Sequence, residues 1–120
     1  MAWNLNADRP IYAQLIEHVQ QQIVAGVYKP GERIPAVREL AAEASVNPNT
    51  MQKALAELER MGLLYSQRTS GRFVTEDEAM IQHIKENLAA VQIQQFIQAM
   101  GQLGFDINES ISLLKETQRN

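Results

Sequence analysis

The sequence predicts a mainly α-helical protein with one small β-hairpin: three helices and the hairpin in winged helix-turn-helix order, followed by a tail of two helices. Three observations lead there. Apolar residues recur at three- and four-residue spacing in three successive segments, each bounded by proline or glycine signals. Two short runs, Leu63 to Ser66 and Arg72 to Thr75, flank the polar stretch Gln67-Arg68-Thr69-Ser70-Gly71. Beyond Glu76 one long segment carries apolar residues on more than one side, unlike anything before it.

The first helix is expected from Arg9 to Gly26. Pro10 suits a first turn, where the missing N–H costs nothing, and Gly26 suits the residue past the end. Tyr12, Leu15, Ile16, Val19 and Ile23 form one apolar stripe, while Gln14, Glu17, His18, Gln20, Gln21 and Gln22 fill the polar side. Ahead of it Trp3 and Leu5 alternate with polar neighbours, a pattern compatible with a short extended arm. Lys29-Pro30-Gly31 marks a turn. Pro35 then opens a short helix, Ala36 to Ala44, whose buried side is Val37, Leu40 and Ala41. After a break at Ser45-Val46-Asn47, Asn47 is a side-chain cap and Pro48 a first helical residue. This third helix runs to Met61 with Met51, Ala54, Leu55 and Leu58 inward, and Gly62 ends it.

In the tail, Glu76-Asp77-Glu78 puts three acids where a helix dipole favours them. The long helix runs to Met100, its apolar set drifting from Met80, Ile84, Leu88 and Val91 to Ile93, Phe96, Ile97 and Met100. Gly101 and Gly104 bracket its end. Asp106 and Glu109 have the D-x-x-E spacing of a capping box, ahead of Ile107, Ile111, Leu113 and Leu114 in a final short helix. The chain therefore divides into a winged-helix domain, 1–76, and a helical tail, 77–120. A piece below roughly 40 residues seldom buries enough surface alone. Its apolar residues must dock, on the chain's own winged helix or on the tail of a second copy. The favoured expectation is a homodimer joined through Ile84, Leu88, Val91, Phe96, Ile97, Met100, Ile111 and Leu114.

Composition excludes several classes. A hydrophobic content of 45% in 120 residues belongs to a globular chain, not a disordered one. With no cysteine there is no disulfide, thiolate ligand or cysteine nucleophile. His18 and His83 lack acidic neighbours at metal-ligand spacing; both read as exposed helix residues, and no metal is expected. No Gly-rich phosphate loop, no G-x-S-x-G and no acid/base pair is present, so neither a catalytic residue nor a cofactor is expected. MAWNLNADRP does not have the pattern of a signal peptide, and no run approaches the ~18 apolar residues of a membrane span. The expected location is cytoplasmic, away from membranes.

A net charge of −3 argues against a protein that coats nucleic acid indiscriminately, but the charge is unevenly placed. From Asp8 to Glu76, eight cations (Arg9, Lys29, Arg33, Arg38, Lys53, Arg60, Arg68, Arg72) balance eight acids, so the whole excess sits in the tail. Between Ala44 and Ala56 there is Lys53 and no acid; between Tyr65 and Thr75 there are Arg68 and Arg72 and no acid. Phosphate attraction depends on such local potential. The start of the third helix also carries Asn49, Thr50, Gln52 and Lys53. These side chains are able to pair with adenine, guanine or phosphate from the end a recognition helix presents to bases. The same residues also fit an ordinary polar helix face. Arg38 opposes the dipole at the start of the second helix, where either a DNA phosphate or a surface pair with Glu32 or Glu39 would give it a partner.

Residues Pro10 to Thr75 closely resemble the winged-helix domain of the GntR family of bacterial regulators. The stretches that carry the resemblance are KPGERIPAVRELA (Lys29 to Ala41), SVNPNTMQKALAELERMGLL (Ser45 to Leu64) and SGRFVT (Ser70 to Thr75). The V-N-P-N-T form and the two-helix tail look like the short-tailed YtrA subfamily. The resemblance implies a homodimer on a pseudo-palindromic double-stranded operator, acting as a repressor, often of a transporter operon. It assigns DNA contact to Arg38, to Pro48, Asn49, Thr50, Gln52 and Lys53, and to the wing residues Arg68, Thr69, Ser70, Gly71 and Arg72. The chain departs from the wider pattern at Pro48 and Gln52, where many members carry arginine. It departs again at Ala36, often serine, and at Thr69, where the first wing glycine is lost. A tail of this size does not enclose a metabolite pocket, which leaves the dimer interface as the one roomy place for an effector. The alternative is a winged helix used as a protein-interaction module without specific DNA binding.

Overall fold

The apolar stripes of three helices close on one another and are capped by a hairpin. In the computed structural model, which describes residues 3–119, the order is α1 (Ile11–Val24), α2 (Val37–Ala44), α3 (Pro48–Arg60), β1 (Leu64–Gln67), β2 (Gly71–Val74), α4 (Glu78–Gln102) and α5 (Ile107–Gln118). Contacts divide the chain into two compact units, Met1–Ile84 and Lys85–Asn120.

The first unit is built around Leu15, Val19, Leu40, Met51, Leu55 and Leu58, all fully buried, with Leu63 and Val74 closing the core from the hairpin side. Met80, Ile81 and Ile84 pack against the same core, so this unit runs to Ile84 instead of stopping at the expected boundary of 76/77. Within α1 the sequence pattern needs three corrections. Tyr12 is exposed although it lies on the apolar stripe, and Gln14 and Gln20 are buried although they lie on the polar side. Gln14 is held by the N-terminal arm, which covers that flank. Gln14 Nε2 donates to the carbonyls of Asn6 (2.6 Å) and Arg9 (3.0 Å), and its Oε1 accepts from the Asn6 N–H (2.6 Å). A buried amide is tolerable only when satisfied in this way. Trp3 is buried at the arm's start and stacks on His18 with ring centroids 3.8 Å apart, so His18 is half-buried, not an exposed helix residue.

Four helices end alike. After α1, α2, α3 and α4 the chain makes the paired 6→1 and 5→2 hydrogen bonds of a Schellman motif, for example Leu63 N–H to Leu58 C=O (3.0 Å) and Gly62 N–H to Glu59 C=O (2.9 Å) after α3. The motif needs one left-handed residue. Gly26, Gly62 and Gly104 supply it three times; between α2 and α3 it is Ser45, at φ 58°. An L-residue there costs about 1–2 kcal/mol.

The hairpin is antiparallel, with Leu64 opposite Val74 and Gln67 opposite Gly71. It is also wider than the sequence predicts. The segment after the Lys29-Pro30-Gly31 turn joins β2 as a third edge: Gly31 N–H donates to Val74 C=O (2.9 Å), Val74 N–H to Glu32 C=O (2.9 Å) and Ile34 N–H to Arg72 C=O (3.0 Å).

The second unit contains the rest of α4 and α5. Asp106 accepts from the Glu109 N–H (2.8 Å) while Glu109 accepts from the Asp106 N–H (2.9 Å), the capping box expected from the spacing. Among the described residues no position of α4 is buried, and in α5 only Ser110 is. No helix is long and apolar enough to cross a membrane.

Candidate nucleic-acid interface

Asn47 caps α3 by accepting from the Asn49 N–H at 2.7 Å, and Pro48 follows as the first helical residue. With Met51, Ala54, Leu55 and Leu58 locked into the core, the helix has one free face. Asn49, Gln52 and Lys53 are exposed on it, and Thr50 is half-buried beside the N-terminal arm. Pro48 is exposed at the tip. Arg38 is exposed on the first turn of α2, and no hydrogen bond or ion pair holds it among the described residues. Glu39 is turned back to its own helix start, where it accepts weakly from the Ala36 N–H (3.4 Å), and Glu32 accepts from the Lys29 N–H (2.8 Å). The two acids that would make Arg38 a surface pair are thus otherwise engaged.

The wing turn places Arg68, Thr69 and Ser70 in solvent. Ser70 N–H closes the turn on Gln67 C=O (2.8 Å), and Gly71 follows at φ 103°. Thr69, at the position of the lost glycine, does not need a positive φ, because among non-glycine residues only Ser45 has one. The retained Gly71 cannot be spared: an added Cβ would stand 2.9 Å from Arg33 Nε. Sequence reasoning passed over Arg33. Its Nε donates to Ser70 C=O (2.7 Å) and fastens the wing tip to the third edge. The signal available was alternation, with Arg33 outward and Ile34 buried, hidden because the segment lies between two prolines.

Arg72 behaves differently from the other wing residues. Its Nε donates to Glu59 and its Nη1 donates to Gln52 Oε1 at 3.2 Å, so the base of the wing is tied to the exposed face of α3. Glu59 also accepts from the Ser66 hydroxyl (2.6 Å). That hydrogen bond, then the Arg72 guanidinium, holds the Glu59 carboxyl below its ordinary range against partial desolvation. Glu59 was another residue the sequence reading missed, although it sits seven positions after Gln52, on the same helix face. A shallow cleft of about 180 Å³ separates this root from the start of α2, with Arg33 and Arg72 on its wall.

The structure therefore joins one residue expected in α3, Gln52, to the wing through Arg72, and it adds Glu59 to that joint and Arg33 at the wing tip. The apolar residues expected in a dimer contact lie elsewhere. Ile84 is half-buried against the core of the first unit, and Leu88, Val91, Phe96, Ile97, Met100, Ile111 and Leu114 belong to the second unit.

Known proteins are similar to this chain in sequence and in fold. The HTH-type transcriptional regulator YhcF of Bacillus subtilis is 31% identical over 109 residues, covering 91% of this chain and 90% of the relative. The HTH-type transcriptional repressor YtrA of the same organism is 40% identical over 85 residues, 66% of this chain and 65% of the relative. A GntR family transcriptional regulator from Listeria monocytogenes superposes with a TM-score of 0.85 at 35% identity, over 93% of this chain and 98% of that one. The DNA-binding domain of AraR, solved in complex with operator ORX1, superposes with a TM-score of 0.54 at 34% identity, over 62% of this chain and 92% of that one. The family described as bacterial regulatory proteins, gntR family, matches residues 11–74, more than half the sequence, and the chain belongs to that family.

Proposed function

We propose that this chain is a cytoplasmic, homodimeric repressor that reads a pseudo-palindromic operator with α3 and the wing. The observation that carries the reading is the free face at the start of α3: Asn49, Gln52 and Lys53 stand exposed on a helix whose opposite side is locked into the core, within the acid-free stretch from Ala44 to Ala56. The operator complex of the AraR domain and the repressor name of YtrA support it by similarity. Asn49 and Gln52 offer base-edge hydrogen bonds; Lys53, Arg38 and Arg68 offer phosphate or guanine contacts, with Pro48, Thr69, Ser70 and Gly71 shaping the approach. This set supplies hydrogen-bonding groups and cations, which suit it to binding.

The homodimer is supported by the second unit. Val91, Ile93, Phe96, Leu103, Ile107, Ile111 and Leu114 are large, apolar and exposed, more than a short tail leaves in water without a partner. Two tails paired about a two-fold axis would cover them and would set the spacing of two half-sites. On this reading the first unit provides DNA contact and the tail beyond Ile84 provides assembly.

Selection of bound duplexes from a random pool, followed by gel-shift titration, tests the proposal. An enriched palindrome is expected, with affinity falling steeply as salt rises. Arg38→Ala and Gln52→Ala should each weaken specific binding by roughly 1–3 kcal/mol. Failure to enrich any sequence would sink the reading in favour of a protein-interaction module.

A further inference from the structure

Arg72 is placed where a wing residue would be expected to reach DNA, yet its guanidinium points inward and its side chain is only 16% exposed. It spans two turns of α3, meeting Glu59 with Nε and Gln52 Oε1 with Nη1. A guanidinium has donors and no acceptor, so the Gln52 atom facing it has to be the amide oxygen. The Gln52 NH₂ group is left as the free end of an otherwise exposed side chain.

We propose that Arg72, anchored by Glu59, is a specificity-determining positioning residue: it engages Gln52 Oε1 and thereby presents Gln52 to a base edge as a hydrogen-bond donor. The inference rests on the reading of α3 as the base-reading helix. A glutamine with both ends free pairs bidentately with adenine, accepting from N6 and donating to N7. Arg72 takes one of the two lone pairs of Oε1 and holds the oxygen at the wing, so the acceptor left for adenine N6 is weakened. Guanine presents only acceptors there, N7 and O6, to either of which the Gln52 amide N–H donates. Choice at this position therefore moves from adenine toward guanine. The ion pair also fixes what Arg72 contributes electrostatically. Glu59 balances its charge beside α3, so Arg72 does not act as a phosphate clamp and adds little to the salt dependence of binding.

The test selects bound duplexes from a random pool using the full chain as wild type, Gln52→Ala, Arg72→Met and Glu59→Gln. Gln52→Ala marks the base pair in question, because preference flattens there. At that pair the wild type should take guanine, and Arg72→Met should shift choice toward adenine by roughly tenfold, the size of one bidentate contact. Glu59→Gln should move it the same way by less. Removing the whole ion pair in the double variant Arg72→Met/Glu59→Gln should leave the salt slope at the wild-type value, whereas loss of a phosphate contact would lower it by about one. Unchanged base choice in both single variants, or adenine already preferred by the wild type, overturns the positioning role while leaving DNA reading intact. A lowered salt slope in the double variant with base choice retained overturns it as well. If Arg72→Met does not fold by circular dichroism, Glu59→Gln alone decides. A wild type that enriches no sequence overturns both the inference and the reading beneath it.

Discussion

The two units are made of the same local parts and treat their apolar side chains in opposite ways. α3 and α5 each begin with an Asx cap, and α3 and α4 each end in a Schellman motif on glycine. Yet Leu15, Met51 and Leu55 are fully buried, while Val91, Ile93 and Ile107 are each 56% exposed. Caps, turns and hydrogen-bond ladders are settled within a few residues of sequence, and they make a helix wherever they occur. Burial requires a second surface. In the first unit α1, α2 and α3 provide one for each other; in the second, the drift of apolar residues around α4 spreads them over more sides than α5 is able to cover.

The sharpest break of that comparison is a pair of truncations. Leu55→Ala removes a fully buried side chain at the centre of α3 and should cost about 2–5 kcal/mol, a large share of the ~5–15 kcal/mol that holds a domain of this size. Val91→Ala, examined at protein concentrations low enough to suppress association, should fall within about 0.5 kcal/mol of wild type. Urea unfolding followed by circular dichroism measures both. Comparable losses in the two variants would mean that the tail has an internal core of its own.

Association separates the units next. Phe96→Asp places a carboxylate on the exposed apolar surface of the tail. It should shift the chain from dimer to monomer in sedimentation velocity and lower affinity for a two-half-site operator by roughly a hundredfold, the scale of lost bivalency. Affinity for a single half-site should stay at the wild-type value. A variant that remains dimeric, or one that loses half-site binding equally, would contradict an assembly role for the tail.

What sequence reasoning captured and what it missed divide along the same line. The three helices, the Asn47 cap, the D-x-x-E box at Asp106 and the outward face of α3 were legible, because each depends on neighbours within one or two turns. The third edge of the wing was not. Gly31, Glu32 and Ile34 find their partners in β2, about forty residues on, and a turn signal was all the local sequence offered. Gln14 was assigned to the polar face because its partners are backbone carbonyls of an arm that periodicity does not place. In the site, Arg72 was legible as a wing cation but not as a residue spent on Glu59 and Gln52. That pairing joins a strand to a helix thirteen and twenty positions away and leaves no mark in composition.

A smaller effect compares the helix ends directly. Ser45→Gly should stabilise the first unit by about 1 kcal/mol, because glycine adopts the left-handed conformation without a Cβ clash and Ser45 is exposed. Gly104→Ala should destabilise the tail by about the same amount through backbone strain alone, since an added Cβ there meets nothing within 4 Å. Thermal unfolding of the two single variants reads this. Opposite signs support a shared motif in both units, whereas a neutral Ser45→Gly would mean that the serine side chain contributes what glycine would regain.

The smallest effect lies in the pH dependence of the first unit and tests whether its arm is part of the core. Packing of His18 beneath Trp3 removes water from the imidazole and lowers its pKa from the ordinary 6.5; Glu43 pulls the other way and is outweighed. Between the lowered folded value and 6.5, the unfolded chain holds a proton that the folded chain does not. Stability therefore rises with pH across that window and is lost as pH falls through it. Glu59, whose carboxyl is depressed below its ordinary 4.5, gives the second window: its contribution is complete above 4.5 and disappears as pH drops through the folded value. The two windows open at different pH, one below 6.5 and one below 4.5, and one substitution removes the first. His18→Phe keeps an aromatic partner for Trp3 and cannot titrate. It should flatten the loss of stability that wild type shows in urea unfolding as pH falls below 6.5, and leave the Glu59 contribution below 4.5 in place. Parallel wild-type and His18→Phe curves would mean that the arm is off the helix in solution. Trp3 would then not belong with the residues that make the first unit a closed core and the tail an open one.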